Sequence, residues 1–419
     1  MRKKVLCLPI GVGLAHTGRL IMVARELRES GIDVIFGAGA DAIKLMRKEK
    51  LPYVEILDFS RETYDKKVKK NNFFVYNRHN FADFVKDELR AYDIIKPDLV
   101  VYDTRITAKI SASIAGIPTV SITNADATAF YDYEKIEFPV QTTFGRFLPM
   151  EVVSLLNREY GQRFLKKISK RAVSAMLIAA MIKVFPALIK LGYKPSKDPF
   201  QYFMGDLTLI ADISEFRPIR NLPEKVKQIG PIFWDGGNKL PSWSKNIEDK
   251  KNLIYVSASG TGDKNTFIKI LEFLSTTDYT VAATTGNTLK PSEVILKSAT
   301  IYKTDFLPGD FIMPRADLII FPGGNATCYQ ALTYGVPQIC TPFHIDQEDN
   351  ANQLERLGTG IIVNPYNKFN ENKLLNAVER VLADRSFKAN SLKMRSILCE
   401  FNGKKNAAVH IKNFLNTKI

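Results

Sequence analysis

The sequence of 419 residues contains few cysteines, histidines and tryptophans. Its four cysteines stand alone, without a Cys-x-x-Cys pair, at Cys7, Cys328, Cys340 and Cys399. Close cysteine pairs are the usual sign of a structural zinc site, and regularly spaced cysteines are typical of small secreted domains held by disulfides. We therefore predict neither feature, and we interpret the cysteines as reduced thiols of a cytoplasmic protein.

Long apolar runs are also missing from the sequence. The apolar stretch Ala172–Ile182 is followed by Lys183 and is much shorter than the roughly 20 residues that a membrane-spanning helix needs. The N-terminus imitates a signal peptide, because three basic residues precede the apolar run Val5–Ala15. However, Pro9 and Gly11 interrupt that run, and an amphipathic helix pattern follows directly. The sequence predicts a strand, a glycine loop and a helix there, and no transmembrane segment.

Acidic residues are outnumbered, with 44 Asp and Glu against 59 Lys and Arg, which gives a net charge of +15. Such an excess predicts attraction to an anionic partner, either nucleic acid, a phosphorylated small molecule or an acidic membrane surface. A generally basic cytoplasmic proteome would produce the same excess. The motifs described below favour a phosphorylated small molecule, and we expect no nucleic-acid partner.

Short apolar strands alternate with helical patterns along the chain, which predicts an α/β fold of parallel sheets covered by helices. The length favours two domains. A stretch rich in Gly, Pro and Trp, with no strand or helix period, separates two such alternations. We predict a first domain over 1–230 with a helical, basic insertion at 145–205, a linker at 231–245, a second domain over 246–400, and a last helix within 401–419 that is a candidate to pack back on the first domain.

The most informative segment is 321–360, where a strand ends in two glycines at the start of a helix. Gly323 and Gly324 would let the backbone approach a ligand closely. The N–H groups of Asn325, Ala326 and Thr327 would point out of the helix N-terminus, where the helix dipole favours a phosphate group. A plain tight turn between a strand and a helix would explain the glycines equally well.

The same segment continues with a Gly-Val-Pro turn, a further strand, and then Asp346 and Gln347. These two residues follow the carboxyl end of a strand, where α/β sheets bind ligands. A carboxylate beside an amide can hold sugar hydroxyls through directional hydrogen bonds. The alternative for Asp346 is an N-cap of the next helix.

This segment resembles the nucleotide-sugar signature of inverting glycosyltransferases, the superfamily of UDP-glycosyltransferases, macrolide glycosyltransferases and the lipid-II-forming transferase. The resemblance implies a GT-B fold, in which two Rossmann-like domains with parallel sheets face a central cleft. It also implies that the glycine turn, from Gly323 to Thr327, holds the donor diphosphate, and that Asp346 and Gln347 hold the sugar. The positions that match are Gly323, Gly324, Thr327, Ala331, Leu332, Gly335, Val336, Pro337, Asp346, Gln347, Asn350 and Ala351.

Two positions depart from the family pattern. Pro322 stands where the family has a phosphate-binding histidine, and Gln330 stands where it has a ribose-binding glutamate. Gln330 can still bond a ribose hydroxyl, whereas Pro322 has no donor, so other groups must hold the diphosphate. These departures leave the identity of the nucleotide open.

Two further loops resemble donor-binding loops of the family. The first follows the strand Leu253–Ser257 and carries Ser259, Gly260 and Thr261, small residues that suit a diphosphate. A flexible loop between a strand and a helix is the alternative there. The second loop carries Phe306 and Leu307, at a place where the family backbone pairs with the base.

In the first domain, His16 lies at the junction of the first glycine loop and its helix. A histidine is the usual general base for a hydroxyl proton near neutral pH. Asp103 ends a neighbouring predicted strand and could orient the imidazole. The resemblance implies that these residues form the base dyad. The loop is also a near miss to a dinucleotide-binding motif, but His16 replaces its third glycine and the second strand lacks the expected acid.

The sequence thus predicts a metal-independent glycosyltransferase that moves a sugar from a nucleoside-diphosphate sugar, preferentially a UDP-sugar, to an acceptor hydroxyl with inversion. No Asp-x-Asp pair is placed to hold a divalent ion. The acceptor is a small molecule or a lipid, and the basic, apolar segment 158–191 suits a protein peripheral to the inner face of the membrane. An ordinary solvated helix face is the alternative for that segment. An accessory subunit that binds sugar nucleotides and a UDP-N-acetyl-sugar epimerase are alternative functions.

Overall fold

The computed structural model forms two compact units. The first comprises residues 1–135, 166–234 and 401–419, and the second comprises 136–165 and 235–400. The sequence pattern assigns 136–165 to the first domain, whereas the structure groups this segment with the second unit. The residues that the structure describes are 2–68, 76–145, 147–234, 236, 240–248, 250–260, 262–286, 288–296, 298–363 and 369–418.

The first unit is built on a parallel sheet whose described strands lie in the order β3-β2-β1-β4-β5-β6-β7. The two strands at its centre, β1 and β4, are buried on both faces, which is why they read as largely apolar runs in the sequence. The strand order reverses between β1 and β4, so a crevice at their carboxyl ends is the place where such sheets bind ligands. The strands are β1 (Lys4–Pro9), β2 (Asp33–Ala38), β3 (Tyr53–Glu55), β4 (Leu99–Asp103), β5 (Thr119–Thr123), β6 (Leu207–Ile210) and β7 (Val226–Gln228).

Helices cover this sheet, and the last of them comes from the C-terminus of the chain. Ile411 and Leu415 of that helix share one apolar core with Leu20 of the first helix, and Lys404 Nζ lies 3.0 Å from Glu26 Oε1. The helices of this part are α1 (Leu14–Glu29), α2 (Ala40–Lys48), α3 (Arg61–Val68), α4 (Arg78–Ile95), α5 (Ile106–Ala115), α8 (Glu159–Ile182, which begins in the segment grouped with the second unit), α9 (Phe185–Lys190) and α16 (Gly403–Lys418).

The second unit has a parallel sheet with the described strands in the order β10-β9-β8-β11-β12-β13, so its order reverses between β8 and β11. The strands are β8 (Leu253–Ser257), β9 (Thr280–Thr284), β10 (Ile301–Thr304), β11 (Leu318–Phe321), β12 (Gln338–Cys340) and β13 (Gly360–Ile362). The helices are α6 (Val140–Phe144), α7 (Met150–Leu156), α10 (Lys264–Leu274), α11 (Gly309–Ile312), α12 (Asn325–Tyr334), α13 (Ile345–Arg356), α14 (Glu371–Ala383) and α15 (Arg385–Leu398). The predicted α/β class with two parallel sheets is confirmed.

The predicted linker, 231–245, is anchored at both ends by its tryptophans. Trp234 packs against the core of the first unit and donates its indole N–H to Glu49 Oε1 at 3.2 Å. Trp243 donates to the carbonyl of Lys303 in the second unit at 3.0 Å. Residues 235 and 237–239 lie outside the described part of the chain. Across the described residues, no helix combines the length and the apolar character needed to cross a membrane.

Candidate active site

His16 and Asp103 meet at the carboxyl end of the first sheet. Strands β1 and β4 are paired neighbours, so the loop after β1 and the last residue of β4 lie side by side. His16 Nδ1 lies 2.8 Å from Asp103 Oδ1, and the Thr104 hydroxyl donates to the same carboxylate oxygen at 2.7 Å. Asp103 is fully buried, whereas the His16 side chain is 27% exposed. Because Nδ1 faces the carboxylate, Nε2 is the ring nitrogen left to exchange a proton with a ligand.

Arg19 holds the second oxygen of the same carboxylate. Its Nη1 lies 3.2 Å from Asp103 Oδ2, and its Nη2 donates to Asn124 Oδ1 at 2.8 Å. Burial would raise the pKa of Asp103, but its electrostatic interactions with Arg19 and His16 and its hydrogen bonds to His16 and Thr104 outweigh burial, so the pKa lies below its ordinary value. Asp103 therefore stays ionised and can stabilise a protonated His16 imidazole.

A second buried ion network supports the loop that carries His16. Arg105 Nε donates to Glu88 Oε1 at 2.6 Å, and its Nη1 lies 3.2 Å from Asp58 Oδ2. The same Asp58 oxygen accepts the backbone N–H of Gly11 at 2.8 Å. All three charged side chains are buried. Arg105 thus holds the loop at Gly11 in place indirectly, because it binds Asp58 and Asp58 binds the Gly11 amide.

In the second unit, the glycine turn after β11 has the geometry of an anion-binding helix start. Gly323 has a φ of +102°, and a Cβ atom there would lie 2.7 Å from the carbonyl oxygen of Gln347. Gly324 caps α12 and makes no side-chain capping hydrogen bond, and a Cβ atom on it would meet no described atom within 4 Å. The predicted diphosphate residues Asn325, Ala326 and Thr327 form the first turn of this helix. Their amides lie at an N-terminus where the dipole favours an anion.

The loop after β8 lies next to this turn, because β8 and β11 are paired. Ser259 has a φ of +53°, and a Cβ atom on Gly262 would lie 2.7 Å from Pro322 Cγ. Gly260 belongs to the same loop, whereas Thr261 lies outside the described residues. The structure therefore brings the described parts of both predicted diphosphate loops to the point where the strand order reverses.

Gln330 and the loop at 306–309 lie together. A Cβ atom on Gly309 would lie 1.8 Å from Gln330 Nε2, so the amide of Gln330 rests directly on this loop. Leu307 is buried, and Phe306 is partly exposed with its ring against Gly236. Gln330 therefore contacts, at Gly309, the loop that carries Phe306 and Leu307.

Asp346 and Gln347 occupy the first turn of α13 but have different surroundings. His344 is the N-cap, so the alternative that Asp346 caps this helix is wrong. The Asp346 carboxylate is 45% exposed and pairs with Nδ1 of the buried His344. Gln347 is buried, and its side-chain oxygen accepts the N–H of Phe343 at 2.8 Å. Of the two residues predicted to hold the sugar, Asp346 is the more accessible.

Helix α13 also binds the segment 136–165. The buried Glu348 carboxylate accepts the backbone N–H groups of Gln141 and Thr142 at 3.0 and 2.6 Å. Asn352 adds a bond from Nδ2 to the carbonyl of Glu137 at 3.2 Å. Burial raises the pKa of Glu348 above its ordinary value, although both backbone bonds oppose this effect. The helix that presents Asp346 is therefore fixed to this segment.

Comparisons of the sequence with known proteins give one family and many relatives. Residues 269–400 match the family model described as Erythromycin biosynthesis protein CIII-like, C-terminal domain. Over 391 residues the chain is 29% identical to a PGL/p-HBAD biosynthesis glycosyltransferase of Mycobacterium tuberculosis. That alignment covers 92% of this chain and 86% of the relative.

Solved structures share the fold over nearly the whole chain. Spinosyn forosaminyltransferase SpnP superposes with a TM-score of 0.70 at 18% identity, over 99% of this chain and 100% of that protein. Glycosyltransferase VinC, solved in complex with dTDP, superposes with a TM-score of 0.68 at 16% identity and the same coverage. The family match, the curated relatives and the shared fold together support the predicted GT-B glycosyltransferase superfamily. The prediction that it is a glycosyltransferase enzyme is confirmed.

Sequence reasoning missed several charged residues of this glycosyltransferase that contact the candidate site residues or support the elements that carry them. Arg19 follows His16 by three residues, and this spacing puts both on one face of a helix, so a signal was available. Asp58, Arg105 and Glu348 gave no such signal, because each acts through a partner far away along the chain.

Replacing Arg105 with methionine is expected to lower the free energy of unfolding by about 3–5 kcal/mol, because it leaves two carboxylates buried without their partner. Denaturant titration of the purified enzyme measures this loss. The matched control is Arg163→Met, which removes an exposed pair with Glu159 and should change stability by less than about 1 kcal/mol. Equal effects of the two substitutions would show that the Arg105 network contributes no more than a surface pair.

Proposed function

We propose that this glycosyltransferase moves a sugar from a UDP-sugar to an acceptor hydroxyl in a single displacement, with His16 as the general base. His16 Nε2 takes the hydroxyl proton, and the acceptor oxygen forms a bond to the anomeric carbon. The bond from that carbon to the diphosphate breaks on the opposite face, and UDP leaves with the electron pair. The configuration at the anomeric carbon is therefore inverted.

The observation that carries this proposal is the contact between His16 and the buried Asp103. A fully buried carboxylate 2.8 Å from Nδ1 fixes the ring orientation and favours the imidazolium that forms when Nε2 takes a proton. Arg19 keeps that carboxylate ionised. Partial exposure of the His16 ring leaves a route for an acceptor hydroxyl.

The donor diphosphate is proposed to bind at the glycine turn of the second unit. Charge develops on the leaving diphosphate, and preorganised N–H donors that face this charge stabilise the transition state. The amides of Ala326 and Thr327, the dipole of α12 and the loop at Ser259 would supply this stabilisation. Pro322 cannot donate a hydrogen bond, so the backbone carries a larger share of the binding here than in relatives with a histidine.

The sugar and the nucleoside are proposed to bind on either side of this turn. Asp346, held by His344, would accept hydrogen bonds from sugar hydroxyls, with Gln347 behind it. Gln330, Phe306 and Leu307 would contact the ribose and the base. Uracil is the base that the family resemblance favours, and thymine is the main competitor, because VinC was solved with dTDP.

The proposed reaction requires no divalent ion, and its stereochemistry can be measured directly. With an α-linked UDP-sugar and an acceptor found by screening phenols and hydroxylated lipids, the product should be the β-anomer by NMR. The rate should be unchanged when EDTA is added. An α-linked product would overturn the single displacement, and loss of turnover in EDTA that Mg²⁺ restores would overturn metal independence.

A further inference from the structure

The segment after the start of α8 is basic without any acidic residue. Residues 160–197 contain neither Asp nor Glu. The basic residues of this run are Arg163, Lys166, Lys167, Lys170, Arg171, Lys183, Lys190, Lys194 and Lys197. A solvated helix face in a globular protein usually mixes both signs of charge. Residues 160–197 therefore carry positive charges that no acidic residue within this run balances.

Helix α8 is apolar on two faces, and only one of them is buried by the first unit. Ser169 and Met181 are buried on the inner side. On the outer side a stripe with the spacing of one helix face is exposed, and it consists of Ile168, Ala172, Ala175, Ala179 and Ile182. Met176 and Ile182 are each 55% exposed. Exposed apolar residues in a continuous stripe mark an interaction surface, whereas isolated ones do not.

Exposed cations border this stripe on α8. Lys167 and Arg171 stand beside Ile168, and Lys183 follows Ile182 at the end of the helix. Long basic side chains can lie along apolar surface while their charged ends reach a polar layer. Apolar residues in the centre with cations at the border match the layered chemistry of a bilayer surface whose headgroups are anionic.

We infer that the stripe and its basic border, which together form the outer face of α8, bind an anionic lipid bilayer in the plane of its surface. The inference goes beyond the proposed function, because it uses no residue of the donor or base sites. A second copy of this chain is a weaker candidate, because like charges would meet across the interface. Spanning is excluded for this helix by its charges and its mixed hydropathy.

Co-sedimentation of the 419-residue protein with vesicles tests the inference. The protein should pellet with phosphatidylcholine vesicles that contain phosphatidylglycerol, more weakly in high salt, and hardly with phosphatidylcholine alone. The charge variant Lys167→Gln/Arg171→Gln/Lys183→Gln should bind the anionic vesicles roughly 100-fold more weakly. The matched control, Lys373→Gln/Arg385→Gln/Lys393→Gln, removes the same three charges from exposed positions on α14 and α15 and should bind like the wild type.

The apolar stripe needs its own variant, Ile168→Gln/Ala175→Gln/Ile182→Gln, which should also lose vesicle binding while it keeps the wild-type melting temperature. Three results would overturn the inference. The charge variant and the control could lose binding equally, which would indicate net charge alone. The stripe variant could bind vesicles like the wild type. Light scattering could show a wild-type dimer that the stripe variant dissolves, which would identify a second copy as the occupant.

Discussion

Replacing His16 with alanine is expected to reduce the turnover number by at least about 100-fold, the usual contribution of a general base. The physical reason is that the acceptor hydroxyl would have to lose its proton to water during the attack. The binding of UDP should not change, because the residues proposed to bind the donor belong to the other unit of the chain. Release of UDP from the donor in the presence of an acceptor with a free hydroxyl measures the rate, and thermal shift measures the binding of UDP.

Two further variants separate the role of the dyad from a general disturbance. Asp103→Asn removes the charge that stabilises the imidazolium and should cost a similar factor. His410→Ala changes a histidine of α16 and should leave the turnover number within a factor of about two, since surface changes away from the site are usually mild. If His16→Ala keeps more than a tenth of the wild-type rate, the general-base assignment is wrong.

The second large effect is expected at Gly324, where an added methyl group should weaken UDP binding by about tenfold or more, ~1.4 kcal/mol. A Cβ atom on Gly324 meets no described atom within 4 Å and its φ is −66°, so the unliganded fold should tolerate alanine. That methyl group would instead enter the space proposed for the diphosphate. Comparison of the melting temperatures with and without UDP separates the two effects, because a ligand that binds only the folded state raises the melting temperature.

Gly323→Ala is the contrasting substitution one residue earlier. Its positive φ costs about 1–3 kcal/mol for a residue with a side chain, and its Cβ atom would clash with Gln347. This variant should be less stable than the wild type even when UDP is absent. It should also bind UDP more weakly. A Gly324→Ala enzyme that binds UDP as tightly as the wild type would place the diphosphate away from this helix start.

The sequence was sufficient to predict the central strands but not the edges of the sheets. Strands such as β8 and β11 are buried on both faces, and a strand buried in this way consists mostly of consecutive apolar residues. The four outermost strands, β3, β7, β10 and β13, were not predicted. Each has only three or four residues and includes partly exposed ones, so its run is too short to stand out.

The candidate site divides in a similar way. Residues of the glycine turn and the first loop could be proposed from the sequence, because the roles that the resemblance implies for them need a fixed local spacing. The supporting charges could not be found, since Asp58 and Arg105 are 47 residues apart in sequence and meet only through the fold. Pattern reasoning is local, whereas the orientation of His16 depends on long-range ion pairs.

The attachment of residues 136–165 to α13 matters for anyone who wishes to recombine such enzymes. A fragment that starts at residue 235 would lack the backbone amides of Gln141 and Thr142 that the Glu348 carboxylate binds. It would also expose this carboxylate, which is buried in the intact protein. The C-terminal residues, 401–419, belong to the first unit instead. A chimera designed to change the donor specificity should therefore exchange 136–165 together with 235–400 and should retain its own residues 401–419.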